Sequence, residues 1–339
     1  MVTEVHEEPE AGQTEVSKGK MFYRRYRWIG MRVLVGIATL VAVSFLIYLS
    51  TMALPGNAAV AILGKNATPE KVAALSAELG LDRPFFVQYF DWLWGMMRGD
   101  FGTSLITKMP VDQMLASRLV NSATLIFLTV IIGFPIAILL GIRAAYKPGK
   151  AIDSAVNSTS IVVSALPEFV VALLLVYLLA TGVFRIFPAV SLVSGQALVL
   201  SNPIVLVLPV LSLVIMTLPY LTRQIRGALQ DALGSEYVVM AELKGLDRAP
   251  VLRRHALPNS LASTIQSGAL TLAYLIGGTV VIEFIFQFPG IGAALQSAVL
   301  SRDLPVVQFI VLVFAAAYVV FNLIADILTV FVTPKLRTA

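Results

Sequence analysis

Six long apolar stretches, separated by polar segments, dominate the pattern of residues along this chain. A helix that crosses the hydrocarbon core of a bilayer needs about 20 predominantly apolar residues, and each stretch meets that length. The predicted spans cover residues 28–54, 118–142, 152–184, 203–225, 259–288 and 305–332. The pattern therefore predicts an all-α, polytopic membrane protein with six transmembrane helices.

The composition supports the same class. Of the 339 residues, 58% are apolar and 13% are charged, whereas soluble domains average about 45–50% and about 25%. Because a water-facing surface cannot absorb this excess of apolar side chains, a soluble enzyme and a disordered scaffold are excluded. The chain has no cysteine, so a disulfide framework is excluded as well.

The positions of lysine and arginine predict the orientation. With the N terminus in the cytosol, each inner segment carries at least two of these cations, and the two short outer loops carry only Arg185 and Arg302. Positive residues accumulate in cytosolic loops, so both termini are predicted to be cytosolic. The chain divides into a glutamate-rich cytosolic tail, 1–20, which is predicted to be disordered, and a membrane domain, 21–339.

The long outer loop, 55–117, is predicted to contain structure of its own. Thr68-Pro69-Glu70 is typical of a helix start, and Gly80 is expected to end that helix. An aromatic-rich run, 85–97, follows and is too short to span a membrane. It either packs as a cap over the spans or docks an external partner. The candidate docking residues are Asp82, Arg83, Gln88, Tyr89, Trp92 and Asp100.

The cytosolic segment between the fourth and fifth spans, residues 233–258, is called the elbow below. Ser235-Glu236 is typical of a capped helix start, and Gly245 suits the left-handed conformation that ends a helix. A second short helix is predicted to begin after Asp247 and to end before Leu257-Pro258. Two helices joined by a glycine turn make a rigid unit whose apolar residues suit docking into a groove on a partner. Folding back onto the chain's own spans is the alternative interpretation.

Glu168, Glu283 and Asp326 lie within the predicted spans, where ionisable groups are costly and often functional. Glu168 follows Pro167 in the third span, and it either lines a translocation path or pairs within the bundle. Glu283 and Asp326 lie nearer the membrane surfaces, where helix ends or polar neighbours are expected to hold them. The alternative function is an ion-coupled secondary transporter in which Glu168 and Glu283 carry protons.

The sequence contains no constellation for catalysis or nucleotide binding. The two histidines, His6 and His255, lie outside the predicted spans, so no Ser–His dyad is expected at membrane depth. No clustered metal-binding side chains are apparent, and no Gly-Lys dipeptide lies in a phosphate-binding loop. We therefore predict that the chain is not an enzyme and holds no cofactor, so any ATP-driven work needs another chain.

The elbow resembles the cytosolic signature of the permease subunits of bacterial ATP-binding-cassette (ABC) importers, specifically the first permease subunit of dipeptide and oligopeptide systems. That signature is Glu-Ala-Ala, three residues, glycine, nine residues and Ile-x-Leu-Pro. This chain matches it at Ala241, Gly245 and Leu257-Pro258. Peptide-type permeases often relax the signature in ways that Tyr237-Val238 and Arg254-His255 reproduce.

The outer loop carries the stronger resemblance. Residues 79–84 read Leu-Gly-Leu-Asp-Arg-Pro, and residues 99–104 read Gly-Asp-Phe-Gly-Thr-Ser, as in the family's segment after the first span. The runs 289–292, Pro-Gly-Ile-Gly, and 302–305, Arg-Asp-Leu-Pro, are also similar to family motifs. The resemblance extends from the first span to the end of the sixth.

The resemblance implies a subunit of the bacterial cytoplasmic membrane that forms half of a translocation pathway for short peptides and works by alternating access. The implied partners are a homologous second permease subunit in a heterodimer, one or two cytosolic ABC ATPase subunits that bind ATP and magnesium, an external substrate-binding protein and membrane lipid, with no nucleic acid. Nickel and glutathione remain alternative cargoes. The implied ATPase-coupling residues are Ser235, Glu236, Tyr237, Val238, Met240, Ala241, Lys244, Gly245, Leu246, Arg254, His255, Leu257 and Pro258.

Overall fold

The computed structural model describes residues 17–53, 60, 63, 67–78, 82–192 and 198–332. The regular secondary structure of these residues is helical, apart from an isolated bridge between Thr103 and Pro110. The all-α prediction is confirmed. Residues 1–16 of the predicted acidic tail lie outside the described residues, as do residues 79–81 of the outer-loop motif and residues 333–339.

The helices follow one another along the chain with loops between them. They are α1 (Ser17–Ala53), α2 (Pro69–Glu78), α3 (Phe85–Met97), α4 (Val111–Tyr146), α5 (Ala151–Ser164), α6 (Glu168–Val176), α7 (Val207–Leu233), α8 (Glu236–Leu243), α9 (Arg248–Val251), α10 (Leu257–Ile285), α11 (Ile291–Ser301) and α12 (Leu304–Val332). π-helical turns, Tyr177–Thr181 and Leu252–Ala256, follow α6 and α9. Two 3₁₀ turns, Val199–Ser201 and Pro203–Leu206, precede α7.

Five helices in the described part of the chain, α1, α4, α7, α10 and α12, are long and apolar enough to cross a membrane. A sixth span exists only if α5 and α6 are taken together, because they meet at a bend of 98°. The polytopic prediction is confirmed, and the third span predicted over 152–184 is broken in its middle by the bend. Pro167 has no amide hydrogen and disfavours helical backbone at the residue before it, so the helix breaks at 165–167.

The centre of the bundle is formed by α4 and α7, with α10 packed between α7 and α12. A methyl group on Gly141 of α4 would lie 2.8 Å from the Ile225 side chain of α7, so the glycine permits this close approach. At the edge, α1 packs on α12, where Arg32 and Asp326 form a 2.8 Å ion pair. Arg32 is the polar neighbour that the sequence leads us to expect for Asp326.

The two ends of the bundle carry different structures. The elbow end carries the elbow together with the start of α1 and the end of α12, and the loop end carries α3, α11 and the turn 99–110. At the elbow end, Leu229 of α7 is buried with Ala145 of α4 and with Leu252 and Ala256, which precede α10. The apolar contacts therefore join the base of the elbow to α4 and α7.

Candidate functional site

The elbow contains a short helix held against the end of α7. Val238 and Ala241 of α8 are buried together with Val251 of α9, and Leu233 at the end of α7 packs on this cluster. The backbone at Gly245 is left-handed, with φ +82°, and the residue after it donates a 3.2 Å hydrogen bond to the carbonyl of Ala241. The prediction that this helix ends at Gly245 is confirmed.

Two details of the predicted elbow are wrong. The hydroxyl of Ser235 does not cap α8; it donates to the carbonyl of Ala232 in the preceding helix at 2.5 Å. The second short helix does not stop before Leu257-Pro258, since α9 continues through the π-helical turn Leu252–Ala256 directly into α10. Pro258 lies directly after this π-helical turn, and because proline has no amide hydrogen, the α-helical hydrogen-bond pattern is interrupted there. The elbow is therefore continuous with the fifth span.

The outward side of α8 is apolar. Met240 is 58% exposed and Leu243 is 76% exposed, with Tyr237, Val239 and Leu246 also exposed beside them. Exposed large apolar residues in a contiguous group are typical of an interaction surface. Val239 and Leu243 are absent from the predicted coupling residues. Apart from the exposed Glu236 and Glu242, α8 is apolar, so its sequence alone does not show which apolar residues are buried and which are exposed.

The predicted coupling residues fall into three groups. Val238 and Ala241 are buried, so they fix α8 in place and cannot touch a partner. Ser235, His255 and Leu257 are partly buried. The exposed members are Glu236, Tyr237, Met240, Lys244, Gly245, Leu246, Arg254 and Pro258.

At the loop end, α3 packs on α1 as a cap. Tyr89 is 4% exposed and shares a 2.8 Å hydrogen bond with Ser44. The rings of Trp92 and Tyr48 lie 5.3 Å apart, and the Tyr48 hydroxyl donates to Gln88 at 3.4 Å. These contacts support the packing interpretation. The docking role predicted for Gln88, Tyr89 and Trp92 needs correction, because these side chains are directed at α1.

The remaining docking candidates are exposed. Arg83 forms a 2.8 Å surface ion pair with Asp91, and Asp82 lies at the start of the same turn. Asp100 accepts the amide of Gly102 at 3.1 Å, so its carboxylate shapes the turn 99–110 locally. The opposite face of α3, which includes Phe86, is exposed.

The 99–104 motif of the outer loop meets the 302–305 motif through a buried carboxylate. Asp303, just before α12, accepts a hydrogen bond from the Ser104 hydroxyl and a 3.0 Å bond from the amide of Leu105. The rings of Phe101 and Phe309 contact each other edge to face, with centroids 4.8 Å apart. The turn 99–110 is therefore fastened to the start of α12.

Glu283 holds the first turn of α11. Its fully buried carboxylate accepts the Ser122 hydroxyl at 2.5 Å and the backbone amides of Gly292 and Ala293 at 2.7 and 3.0 Å. Ser122 in turn accepts the amide of Ile291 at 2.9 Å. The first amides of a helix have no intrahelical acceptor, so this network satisfies three of them. The proposed place of Glu283 in a translocation path is corrected: it has no exposed surface.

Glu168 lies at the break of the third span. It is partly buried, and it accepts a hydrogen bond from the hydroxyl of Tyr274 on α10, whose ring is exposed. A methyl group on Gly278 would lie 3.3 Å from the Glu168 carboxylate, so α6 and α10 approach closely here. Of the two predicted path residues, only Glu168 borders an exposed surface.

Comparison with known proteins decides the family. A family model described as binding-protein-dependent transport system inner membrane component matches residues 137–338, and the model of the N-terminal part of such components matches residues 25–140. The chain belongs to this family. A peptide transport system permease protein of Brucella abortus is 35% identical over 310 residues, covering 90% of this chain and 97% of that protein.

Two further relatives of this permease carry different cargo names. The oligopeptide transport system permease protein AppB of Bacillus subtilis is 32% identical, covering 91% of this chain and 99% of its own. The metal-staphylopine import system permease protein CntB of Staphylococcus aureus is 31% identical, covering 92% and 98%. A chain of the MetNI methionine ABC transporter in an inward-facing conformation is 16% identical, with a TM-score of 0.49, covering 66% of this chain and 96% of that chain.

The permease is therefore a membrane subunit of an ATP-driven importer in the bacterial inner membrane, and it is not an enzyme. Importers of this family combine permeases with an ATPase and a substrate-binding protein. The ion-coupled alternative has no support from the family or its relatives.

Proposed function

We propose that this permease forms half of a translocation pathway for short peptides and that its elbow transmits the movement of a separate ATPase. The observation that carries the proposal is the exposed apolar side of α8, with Met240 and Leu243 outermost, on a helix whose other side is fixed by Val238 and Ala241. A helix fixed on one side and apolar on the other can seat in a groove and pass on a displacement.

The proposed assembly is a heterodimer with a homologous second permease, one or two ABC ATPases at the elbow end, and a substrate-binding protein at the loop end. This arrangement puts both termini in the cytosol, in agreement with the distribution of Lys and Arg. Asp82, Arg83 and Asp100 remain the candidate contacts for the binding protein, since their side chains are exposed at the loop end. Peptide cargo is supported by the names of the Brucella and Bacillus relatives.

The pathway is proposed to run along the break between α5 and α6. Backbone that leaves the helix at membrane depth cannot face lipid, because its polar groups would lose their hydrogen bonds. The break at 165–167 must therefore face water or another protein chain. Glu168 and Tyr274 lie on this surface, so they are the polar groups that a translocated peptide would meet.

The function is tested by changing Gly245 in the complete transporter. A β-branched residue at φ +82° costs about 1–2 kcal/mol, which is roughly a tenfold change in the population of the native helix end. Because a methyl group at Gly245 would meet no atom within 4 Å, the effect is confined to the backbone. Gly245→Val should lower peptide-stimulated ATP hydrolysis by up to about tenfold while membrane insertion survives. Gly245→Asn is the matched control, since asparagine tolerates the left-handed conformation, and it should retain coupling.

The readouts are copurification of an ATPase with the tagged chain and uptake of a labelled dipeptide by proteoliposomes. Copurification with ATP-dependent peptide uptake is the expected result. Normal coupling in Gly245→Val, or the absence of any copurified ATPase with the unaltered chain, would refute the role of the elbow. Uptake of nickel or glutathione in place of the dipeptide would refute the peptide assignment alone.

A further inference from the structure

A buried ion pair joins α5 to α7 near the elbow end. The Asp153 carboxylate is 3% exposed and accepts the Nε–H and Nη2–H groups of Arg226 at 2.5 and 2.8 Å. It also accepts the amide of Gly149 at 2.9 Å and the side-chain amide of Asn157 at 3.1 Å. The left-handed backbone of Gly149, φ +73°, shapes the turn between α4 and α5. One carboxylate thus ties this turn, α5 and α7 together.

Beside this ion pair, α5 and α7 are poorly packed. A cavity of about 370 Å³ lies between them, lined in part by Val156 and Ser160 of α5 and by Thr222 of α7. Thr222 is about one helical turn from Arg226, so the cavity begins directly next to the ion pair. The Thr222 hydroxyl is buried and has no hydrogen-bond partner among the described residues. Close packing resists relative movement of helices, whereas a cavity leaves room for it.

The two helices are attached to different parts of the fold. The end of α7 is packed through Leu229 onto Ala145 and Leu252, and it leads through Gly234 into the elbow. In contrast, α5 ends at the break at 165–167, which can act as a hinge because no helical hydrogen bonds are continuous across it. Helix α5 also packs on α7 and on α4, and the ion pair supplies a polar link between α5 and α7.

We propose that Asp153 and Arg226 are positioning residues that make α5 follow the elbow. This proposal rests on the proposed coupling function of the elbow. A displacement of the elbow passes along α7 to Arg226, through the ion pair to Asp153, and turns α5 about the break. The exposed side of α5 carries Ser158 beside the apolar Ile161 and Val162, and α5 ends at the break that borders the proposed pathway. Turning α5 therefore changes the wall of the pathway.

The test uses the complete transporter in proteoliposomes, with variants that weaken the ion pair to different degrees. Asp153→Asn removes the charge but keeps the shape, and the Arg226 side chain, which is 22% exposed, can still reach water. Arg226→Lys keeps the charge but loses the two-pronged geometry of the guanidinium group. The double variant Asp153→Arg with Arg226→Asp restores a pair in the reverse orientation.

The matched control is Asp326→Asn, which breaks the ion pair with Arg32 between α1 and α12 at the same end of the bundle. That pair has no connection with the elbow. The readouts are the ratio of peptide-stimulated to basal ATP hydrolysis and the amount of ATPase that copurifies. The ratio reports coupling and the copurification reports assembly, so a merely structural defect moves the second readout as well as the first.

In Asp153→Asn we expect a loss of stimulation of about tenfold, equivalent to about 1.4 kcal/mol of coupling, with unchanged copurification. Arg226→Lys should show a smaller loss, the reversed pair should recover part of the stimulation, and Asp326→Asn should behave as wild type. Normal stimulation in Asp153→Asn would overturn the proposal. If Asp153→Asn fails to assemble, Arg226→Lys decides, and normal stimulation there would overturn it. An equal loss in Asp326→Asn would also overturn it.

A distance measurement follows the movement itself. Because the chain has no native cysteine, spin labels attach only at Ser158→Cys on α5 and Asp231→Cys on α7. With the ion pair intact, the distance between the labels should stay narrow and unchanged by ATP; with Asp153→Asn it should broaden. A narrow distance distribution both with Asp153 and with Asp153→Asn would refute the proposal that the ion pair holds α5 in place relative to α7. If no ATPase binds the unaltered chain, the elbow function fails instead, and this distance measurement still tests the ion pair.

Discussion

The sharpest test of the loop end is the replacement of Glu283. Its carboxylate is fully buried and accepts hydrogen bonds from Ser122 and from the first amides of α11, at Gly292 and Ala293. Glu283→Ala would leave these donors without an acceptor in a site that water does not reach. The helix α11 would then keep its apolar contacts but lose the group that fixes its start.

The magnitude follows from the number of donors that lose their acceptor. A buried donor left unsatisfied costs about 1–3 kcal/mol, so the two amides together cost about 2–6 kcal/mol. The cavity left by the missing side-chain atoms adds to this loss. At about 2–4 °C per kcal/mol, the figure for a domain of 150–250 residues, the midpoint of thermal unfolding should fall by at least about 5 °C. Glu283→Gln should lose less, because it retains one acceptor oxygen.

The assay is thermal unfolding of the purified permease in detergent, with Glu70→Gln as the control. Glu70 is an exposed acid in the first turn of α2, and its replacement should leave the midpoint unchanged. Ser122→Ala should give an intermediate loss, since it removes one donor to Glu283 and the acceptor of one α11 amide. If Glu283→Ala has the same midpoint of thermal unfolding as wild type, the carboxylate does not hold α11 and the hydrogen-bond reasoning is wrong.

Two further predictions concern the loop end. Gly290→Ala should destabilise the permease, because the added methyl group would overlap the Glu283 carboxylate. Gly277→Ala is the control and should not destabilise it, since a methyl group there meets no atom within 4 Å. Thermal unfolding compares the two variants, and equal midpoints would contradict the packing around Gly290. Asp303→Ala should release the turn 99–110 by removing the acceptor of Ser104, so amide hydrogen exchange in that turn should rise while exchange in α7 stays unchanged.

The features that the sequence predicts correctly depend on local chemistry. The long apolar runs give the spans because an α-helix of about 20 apolar residues satisfies its backbone hydrogen bonds within a membrane. Gly245 ends α8 as predicted, since the left-handed conformation at a helix end is a property of one residue. The break at Pro167 is also a local property of one residue. Its 98° angle depends on packing with α10, so the apolar sequence pattern does not predict it.

The features that the sequence misses depend on contacts between distant residues. Tyr89 lies in an aromatic-rich run that is also typical of an exposed interfacial surface, yet its hydroxyl forms a hydrogen bond with Ser44, 45 residues away. Glu283 finds its hydrogen-bond donor Ser122 across 161 residues, so the sequence alone does not identify this partner. Likewise, in the sequence Asp153 and Arg226 are two separate charged residues near the ends of spans. They form an ion pair only in the folded chain.

The placement of these polar networks divides the permease into a fixed part and a movable part. At the loop end, Glu283 and Asp303 are buried, each satisfied by several donors, and they fasten α11 and the turn 99–110 to the bundle. A buried network of this kind resists change because any displacement leaves polar groups unpaired. At the elbow end, α5 packs on α7 and is linked to it by an ion pair beside a cavity, and it ends at a broken span. On the proposed coupling, a force applied at the elbow would turn α5 against the fixed loop end.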